Sequence, residues 1–152
     1  MADKPPRESR DRDEIVLRLC ADERSVREAR HAVGHLCRSG GLTSLADDAE
    51  LLTSELVTNA CRATTGVITV ALLPDDSCLV VTVSDDDTTR VALSASLPHA
   101  DALSGRGLHL VDKIASDWGA VHHDSDGKTI WFRLDVLPSA FWPRPRLARH
   151  SE

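Results

Sequence analysis

Apolar residues recur along this chain at two spacings, one typical of β-strands and one typical of α-helices. Short runs rich in Val, Ile, Leu and Thr, bounded by Gly, Pro, Asp and Ser, predict strands. Five such runs occur, over residues 15–19, 67–73, 78–83, 120–123 and 129–134. Turn residues lie at 74–77 and 124–127, and they predict that the last four strands form two hairpins.

The first helix is predicted to begin at Ser25, because Ser25 and Glu28 have the spacing of a capping box, which satisfies free N–H groups at a helix start. Gly40 and Gly41 end the helix through their tolerance of the left-handed conformation. Between these limits the apolar residues follow helical spacing, at Val26, Ala29, Val33, Leu36 and Cys37.

The second helix is predicted from about Leu45 to Ala63. Its apolar stripe has steps of four, three, four and four residues, at Leu45, Ala49, Leu52, Leu56 and Ala60. Glu55 and Asn59 lie along one edge of this stripe, where a helix turns from the core toward solvent. A side chain at such an edge is held firmly and can still reach a ligand.

A third helix is predicted over residues 107–118, with Gly119 closing it. Its apolar face contains Leu108, Val111, Ile114, Ala115 and Trp118. The preceding segment, residues 84–104, loses all periodicity and is rich in Asp, Thr, Ser and Ala. A loop of this length inside a compact domain is usually functional or flexible.

The predicted order is strand, helix, helix, hairpin, loop, helix, hairpin. This order indicates an α+β fold, a two-layer α/β sandwich with its helices on one face of a mixed, mostly antiparallel sheet. A doubly wound Rossmann sheet would need regular alternation of strand and helix. We expect one domain over residues 14–136, between a disordered N-terminal segment, 1–13, and a disordered Pro/Arg-rich tail, 137–152.

Composition is that of an ordinary globular domain, with 152 residues, 41% hydrophobic and 28% charged. The net charge of −6 argues against a nucleic-acid-binding protein, which usually carries a concentrated basic patch. The sequence has no long apolar run and no signal-peptide pattern, so we expect a cytoplasmic protein that does not contact a membrane. The four cysteines form no C-x-x-C pair and are expected to be small apolar residues, buried or half-buried.

Two features of the sequence together indicate a magnesium–nucleotide site. Glu55 and Asn59 are four residues apart on one helix, so a carboxylate and an amide oxygen share a face. Residues 105–108, Gly-Arg-Gly-Leu, precede a predicted helix, where backbone N–H groups and the helix dipole favour phosphate. Taken alone, the first feature is also explained by a polar helix edge and the second by a plain glycine loop.

A third motif, Ser-Asp-Asp-Asp at 84–87, lies between these two in the sequence, at the end of a predicted strand. The three motifs in this order resemble those of the GHKL ATPase superfamily, which includes the ATP-binding domains of gyrase, histidine kinases and MutL. Within it, the chain resembles the small anti-sigma-factor serine kinases common in actinobacteria. The resemblance covers about residues 15–134 and implies a Bergerat-type sandwich that binds ATP with Mg²⁺.

The resemblance implies roles for three polar residues of the second helix. Asn59 would ligate Mg²⁺ through its amide oxygen, since hard cations take oxygen ligands. Glu55 would be the catalytic general base that accepts a proton from the attacking hydroxyl. Arg62 lies one turn further along the same face and would contact phosphate.

The resemblance also implies how the adenine base is recognised. Asp85 matches the family aspartate that accepts a hydrogen bond from the adenine amino group, and Thr129 matches a threonine near the adenine pocket. At Asp87 the family's ATP-binding members usually have glycine, so here a carboxylate faces a site meant for an anion. An acidic surface turn is the alternative explanation of residues 85–87, and Gly127 fits a plain hairpin turn.

The phosphate-binding motif is implied to meet the triphosphate through its backbone N–H groups. Its residues are Gly105, Arg106, Gly107 and Leu108. Arg106 would add a charge-assisted bond to phosphate. Residues 88–103 would then form the ATP lid.

The function that the resemblance implies is an ATP-binding anti-sigma-factor-like regulator with serine/threonine protein kinase activity. Its expected partners are a sigma factor and/or an anti-anti-sigma protein, and the first helix is a candidate surface for a partner or a homodimer. Asp87 favours an alternative, a non-catalytic module that sequesters its partner, with a degenerate or structural nucleotide site. A detached histidine-kinase-type domain ranks last, because no helix pair with a phosphoacceptor histidine precedes the domain.

Overall fold

The computed structural model describes residues 14–88 and 102–136, and for residues 102–107 it describes the backbone alone. The elements are β1 (Ile15–Cys20), α1 (Glu23–Ser39), α2 (Ala46–Ala63), β2 (Val67–Pro74), β3 (Cys78–Asp85), α3 (Ala102–Ile114), β4 (Asp117–His122) and β5 (Lys128–Asp135). A 3₁₀ turn, Thr43–Leu45, precedes α2. The two expected disordered ends and residues 89–101 of the expected lid lie outside the described residues. Within the described ranges, every helix is too short or too polar to cross a membrane.

The five strands form one sheet in the order β1-β2-β3-β5-β4. Each neighbouring pair is antiparallel, so the sheet is simpler than the mixed one that the sequence predicted. The pairing of β3 with β5 joins the two predicted hairpins. It places Asp85 opposite Lys128 and Ser84 opposite Thr129. The α+β sandwich is confirmed.

The core lies between the helices and one face of the sheet. The predicted stripe of α2 is confirmed, because its five apolar residues, Leu45, Ala49, Leu52, Leu56 and Ala60, are all buried. Every second residue of β3 and β5 belongs to the same buried core, at Leu79, Val81, Val83, Ile130, Phe132 and Leu134. Burial of side chains this size stabilises the fold by about 1.5–3 kcal/mol each. This packing fixes the rotation of α2 about its axis and therefore the direction of its polar edge.

Helix α1 begins earlier than its sequence pattern predicted. Its N-cap is Asp22, whose side chain accepts a hydrogen bond from the Ser25 backbone N–H at 3.0 Å. The predicted cap at Ser25 is therefore wrong. Ser25 is buried, and its hydroxyl donates to the carbonyl of Cys20 at the end of β1. The predicted end is confirmed, since Gly41 has a φ of 79°.

Helix α3 also begins and ends earlier than predicted, and Trp118 and Gly119 belong to β4. Trp118 shares the same buried core as the α3 residue Val111, which explains why its position mimicked helical spacing. Its indole N–H donates to Asp112 in α3 at 3.0 Å, which ties the helix to the strand that follows it.

The four cysteines are free thiols. Cys37 is buried and Cys61 and Cys78 are half-buried, as expected, but Cys20 is exposed. Its side chain lies on the face of the edge strand β1 that points away from the helices, next in sequence to the buried Leu19. Burial raises the pKa of the Cys37 thiol to about 11 and also raises the pKa of Cys61.

Cys37 should make the protein less stable at alkaline pH. The unfolded thiol ionises near its ordinary value of 9.0, whereas the folded thiol keeps its proton to about pH 11. Between these values the unfolded chain binds fewer protons, so the free energy of unfolding falls as pH rises, by up to about 3 kcal/mol. Denaturant unfolding from pH 8 to 11 measures this slope. Cys37→Ala should flatten it, and identical slopes for the two proteins would contradict the assignment.

Candidate functional site

The polar edge of α2 has the geometry that the sequence predicted. Glu55 and Asn59 are half-buried, and they lie beside the buried residues Leu52, Leu56 and Ala60. Arg62 follows in the last turn of α2 and is exposed. The three polar side chains therefore lie on a helix whose orientation is fixed by core packing, and they have access to solvent.

Asn59 has an unsatisfied amide oxygen. Its Oδ1 is buried and has no hydrogen-bond partner within the part of the chain that the structure describes. Thr53 Oγ1 and Trp131 Nε1 share this property, but both of those residues are fully enclosed, whereas Asn59 reaches the surface. A buried acceptor without a partner costs about 1–3 kcal/mol unless a ligand satisfies it. An amide oxygen is also a ligand that Mg²⁺ accepts, so the residue fits this cation.

The three aspartates that follow β3 form a structured turn and not simply an acidic surface. Asp85 is buried at the end of the strand, and its Oδ1 accepts a hydrogen bond from the backbone N–H of Asp87 at 2.8 Å. The side chain of Asp86 accepts a hydrogen bond from the hydroxyl of Thr64. Thr64 is the C-cap of α2, so this bond ties the end of the Glu55–Asn59 helix to the turn.

A buried lysine stands at the centre of this turn. Lys128 Nζ lies 3.0 Å from Asp85 Oδ1 and 2.8 Å from Asp87 Oδ2. The side chains of Lys128, Asp85 and Asp87 are 7%, 3% and 21% exposed, respectively. We call these three residues the Lys128 cluster. Two carboxylates share one ammonium, which comes from another strand, and the cluster keeps a formal charge of −1.

Gly127 sets the position of Lys128. Its φ of 102° lies in the left-handed region, and a Cβ at this position would lie 1.9 Å from the Asp85 carbonyl oxygen. Only glycine therefore lets the start of β5 approach the end of β3 this closely. The interpretation of Gly127 as a plain hairpin residue is incomplete, because it also forms the contact that brings Lys128 to Asp85.

Thr129 lies on the opposite face of the sheet from the Lys128 cluster. Its hydroxyl is 2.7 Å from Ser84 Oγ and 2.8 Å from His123 Nε2. Side chains alternate along a strand, so the register that pairs Asp85 with Lys128 directs Thr129 away from Asp85. The structure therefore brings Lys128, and not the predicted Thr129, to the candidate base-binding carboxylate.

The glycine motif lies within helix α3. Gly105, Arg106 and Gly107 belong to its first two turns and do not form a loop before it, and Leu108 is half-buried. Helix α3 contacts α2, and α2 in turn contacts β3. The elements that carry the three sequence motifs are thus neighbours in space, as the sequence predicted.

The comparison with protein families decides which fold family this arrangement belongs to. Residues 19–134 match the histidine kinase-like ATPase domain family. The chain belongs to this family. The match includes α2, the turn after β3, α3 and all of β5 except its last residue. The comparison with curated proteins finds no match. Membership in the histidine kinase-like ATPase domain family implies ATP binding.

Sequence reasoning missed two contacts in this histidine kinase-like ATPase domain, that of Lys128 with the two aspartates and that of Thr64 with Asp86. The first had a detectable signal. Lys128 is in phase with the inward-facing residues Ile130 and Phe132, so alternation along β5 placed a charged side chain on the buried face. Buried charges are normally paired, and Asp85 is in phase with the inward face of β3.

Gly127→Ala should destabilise the domain strongly, because it combines left-handed strain with a backbone overlap against Asp85. Gly41→Ala is the matched control, since its φ is 79° and a Cβ there meets nothing within 4 Å. We expect a loss of about 1 kcal/mol at Gly41 and at least about 3 kcal/mol at Gly127. Urea unfolding measures both values. Equal losses would show that the approach to Asp85 is unimportant.

Lys128→Met should also destabilise the domain, because it leaves two carboxylates without their buried cation. Breaking a buried ion pair on one side costs about 3–5 kcal/mol. Arg133→Met is the control on the same strand, since Arg133 pairs with Asp135 at 3.1 Å on the sheet's other face, where both side chains are about one-third exposed. That pair should contribute less than about 1 kcal/mol. Similar melting temperatures for the two variants would contradict a buried cluster.

Proposed function

We propose that this chain is an ATP-binding, anti-sigma-factor-like regulator with serine/threonine protein kinase activity toward an anti-anti-sigma partner. The histidine kinase-like ATPase family includes anti-sigma-factor serine kinases. The observation that carries the proposal is the pair on α2, where an unsatisfied, buried Asn59 amide oxygen lies one turn from the Glu55 carboxylate. Unlike the other two unsatisfied buried atoms of the described residues, Thr53 Oγ1 and Trp131 Nε1, this oxygen belongs to a half-buried side chain that a ligand can reach.

Three polar residues of α2, Glu55, Asn59 and Arg62, have a role in this proposal. Asn59 would hold Mg²⁺ through its amide oxygen, and the cation when bound would neutralise charge on the phosphates. Arg62 would contact phosphate from the last turn of α2, and the α3 residues Gly105, Arg106, Gly107 and Leu108 would approach the triphosphate from the neighbouring helix. Positioning and electrostatic stabilisation are the main contributions a protein makes to phosphoryl transfer.

Glu55 would serve as general base for the partner serine. The serine oxygen forms a bond to the γ-phosphorus, the bond from that phosphorus to the β–γ bridging oxygen breaks, and ADP leaves. The serine proton passes to the Glu55 carboxylate, which must therefore lie at the reacting end of the nucleotide. A half-buried carboxylate on a fixed helix edge suits this task, because it is held in place and remains accessible.

The first test separates binding from transfer. Titration calorimetry of the full chain with Mg·ATP should show binding, and Asn59→Ala should weaken that binding by at least about tenfold, the loss of a single well-placed ligand. Glu55→Gln should bind Mg·ATP as the wild type does. It should lose at least about a hundredfold in phosphate transfer from labelled ATP to anti-anti-sigma proteins of the same genome.

Asp48→Asn is the matched control, because Asp48 is an exposed carboxylate in the first turn of the same helix. It should leave both binding and transfer unchanged. Unaltered transfer by Glu55→Gln would remove Glu55 from the mechanism. No heat with Mg·ATP from the wild type would refute the kinase proposal.

A second candidate function is a non-catalytic module that sequesters a sigma factor or an anti-anti-sigma partner. The observation that favours it is the contact of Lys128 with Asp85, because the carboxylate expected to read adenine already has a partner. Partner binding would then be independent of nucleotide. Dissociation constants for a sigma factor, measured with and without Mg·ATP, distinguish the two functions, since they agree for the module and differ for a nucleotide-dependent regulator.

A further inference from the structure

We infer that Lys128 occupies the base subsite of the domain and competes with the nucleotide base for Asp85. By base subsite we mean the space around the Asp85 carboxylate. The inference rests on the proposed nucleotide binding and extends it, because it names the two residues, Lys128 and Asp87, that set how much the base contributes to affinity.

The first observation is that the Asp85 carboxylate already has hydrogen-bond partners. Its Oδ1 already accepts two hydrogen bonds, one from Lys128 Nζ at 3.0 Å and one from the Asp87 backbone N–H at 2.8 Å. Its side chain is 3% exposed. An incoming amino group therefore meets an enclosed carboxylate whose Oδ1 is already paired, and it has to compete with Lys128 for this group.

The second observation concerns the strength of the hydrogen bond between Lys128 and Asp85. The ammonium of Lys128 is charged, whereas an adenine amino group is a neutral donor. Charge-assisted hydrogen bonds are about twice as strong as neutral ones. Since Lys128 is itself 7% exposed and has little access to water, its displacement would leave a buried charge without its partners. The exchange of lysine for base is therefore unfavourable.

The third observation is that Asp87 also binds Lys128. Its carboxylate holds Lys128 Nζ from a second direction at 2.8 Å, which a glycine could not do. Asp87, which stands where the family usually has glycine, and Lys128 thus act together. The negative charge of Asp87 is directed to the lysine, and the lysine is held on Asp85. A nucleotide would then be bound mainly through its phosphates.

The experiment compares Mg·ATP with magnesium tripolyphosphate, which lacks the base and the ribose, by titration calorimetry on the full chain. The two ligands should bind wild-type protein with dissociation constants within about threefold of each other, a difference below 1 kcal/mol. The double variant K128T/D87G removes one positive and one negative charge and so preserves the net charge. It should bind Mg·ATP at least about tenfold more tightly than wild type, with tripolyphosphate affinity unchanged.

Two further variants separate the lysine from other effects. D87G removes one of the two carboxylates that hold Lys128 but keeps its pair with Asp85, so its preference for Mg·ATP over tripolyphosphate should lie between those of wild type and the double variant. R133T/D135N removes an ion pair from the opposite face of the same strand and should change neither affinity. Melting curves establish that each variant is folded, and the wild-type comparison of the two ligands does not depend on any variant.

The outcomes distinguish failure of the inference from failure of the proposed function. If wild-type protein prefers Mg·ATP to tripolyphosphate by about tenfold or more, the base already contributes and the inference is overturned, while the proposed function stands. The same holds if K128T/D87G is folded and binds Mg·ATP no more tightly than wild type. If neither ligand binds wild type or the double variant, the proposed function falls and the inference with it.

Discussion

The site of this domain depends on one electrostatic constraint, the need of two carboxylates at the end of β3 for a buried cation. The ammonium of Lys128 meets that need from β5. Without it, the turn after β3 would bring two negative charges into a poorly hydrated space, at a cost that the local backbone bonds could not offset. The same turn holds the end of α2 through Thr64 and Asp86. One side chain thus joins two strands and steadies the helix that carries Glu55 and Asn59.

The helix layer and the sheet of this fold are well predicted from the sequence because the spacing of apolar residues determines which segments form helices and which form strands. The stripe of α2 is long and regular, so its polar edge with Glu55 and Asn59 follows from spacing, and the apolar runs of β2, β3 and β5 are bounded by turn residues. Errors occur where local signals compete. Asp22 and Ser25 were both suitable caps three residues apart, and Trp118 contributes to a core that a helix and a strand share. Thr129 was expected near the adenine pocket, but the β3–β5 register places Lys128 opposite Asp85, and pairing between distant strands is not encoded by local sequence.

The effect of a residue that departs from a family motif depends on the residues that surround it in the structure. Considered alone, Asp87 suggests a damaged nucleotide site, since the family resemblance leads one to expect glycine at this position. In the structure its charge is directed to Lys128, and Gly127 provides the close backbone approach that makes this contact geometrically feasible. The effect of a residue in such a network depends on its partners, so substitutions within the Lys128 cluster should not be additive. A sequence comparison restricted to the aspartate motif would miss this compensation, because the compensating residue lies on another strand.

The order of the sheet has a consequence for how the domain folds. The hairpins β2–β3 and β4–β5 each close a short turn and can form locally, whereas the contact of β3 with β5 requires the ends of the long stretch from Asp85 to Lys128 to meet. Closing a long segment carries an entropic penalty before any pairing compensates it. Lys128 reaches the carboxylates only through that late, non-local pairing. We therefore expect the end of the sheet that carries the Lys128 cluster to form late during folding, as the similarly non-local pairing of β1 with β2 should.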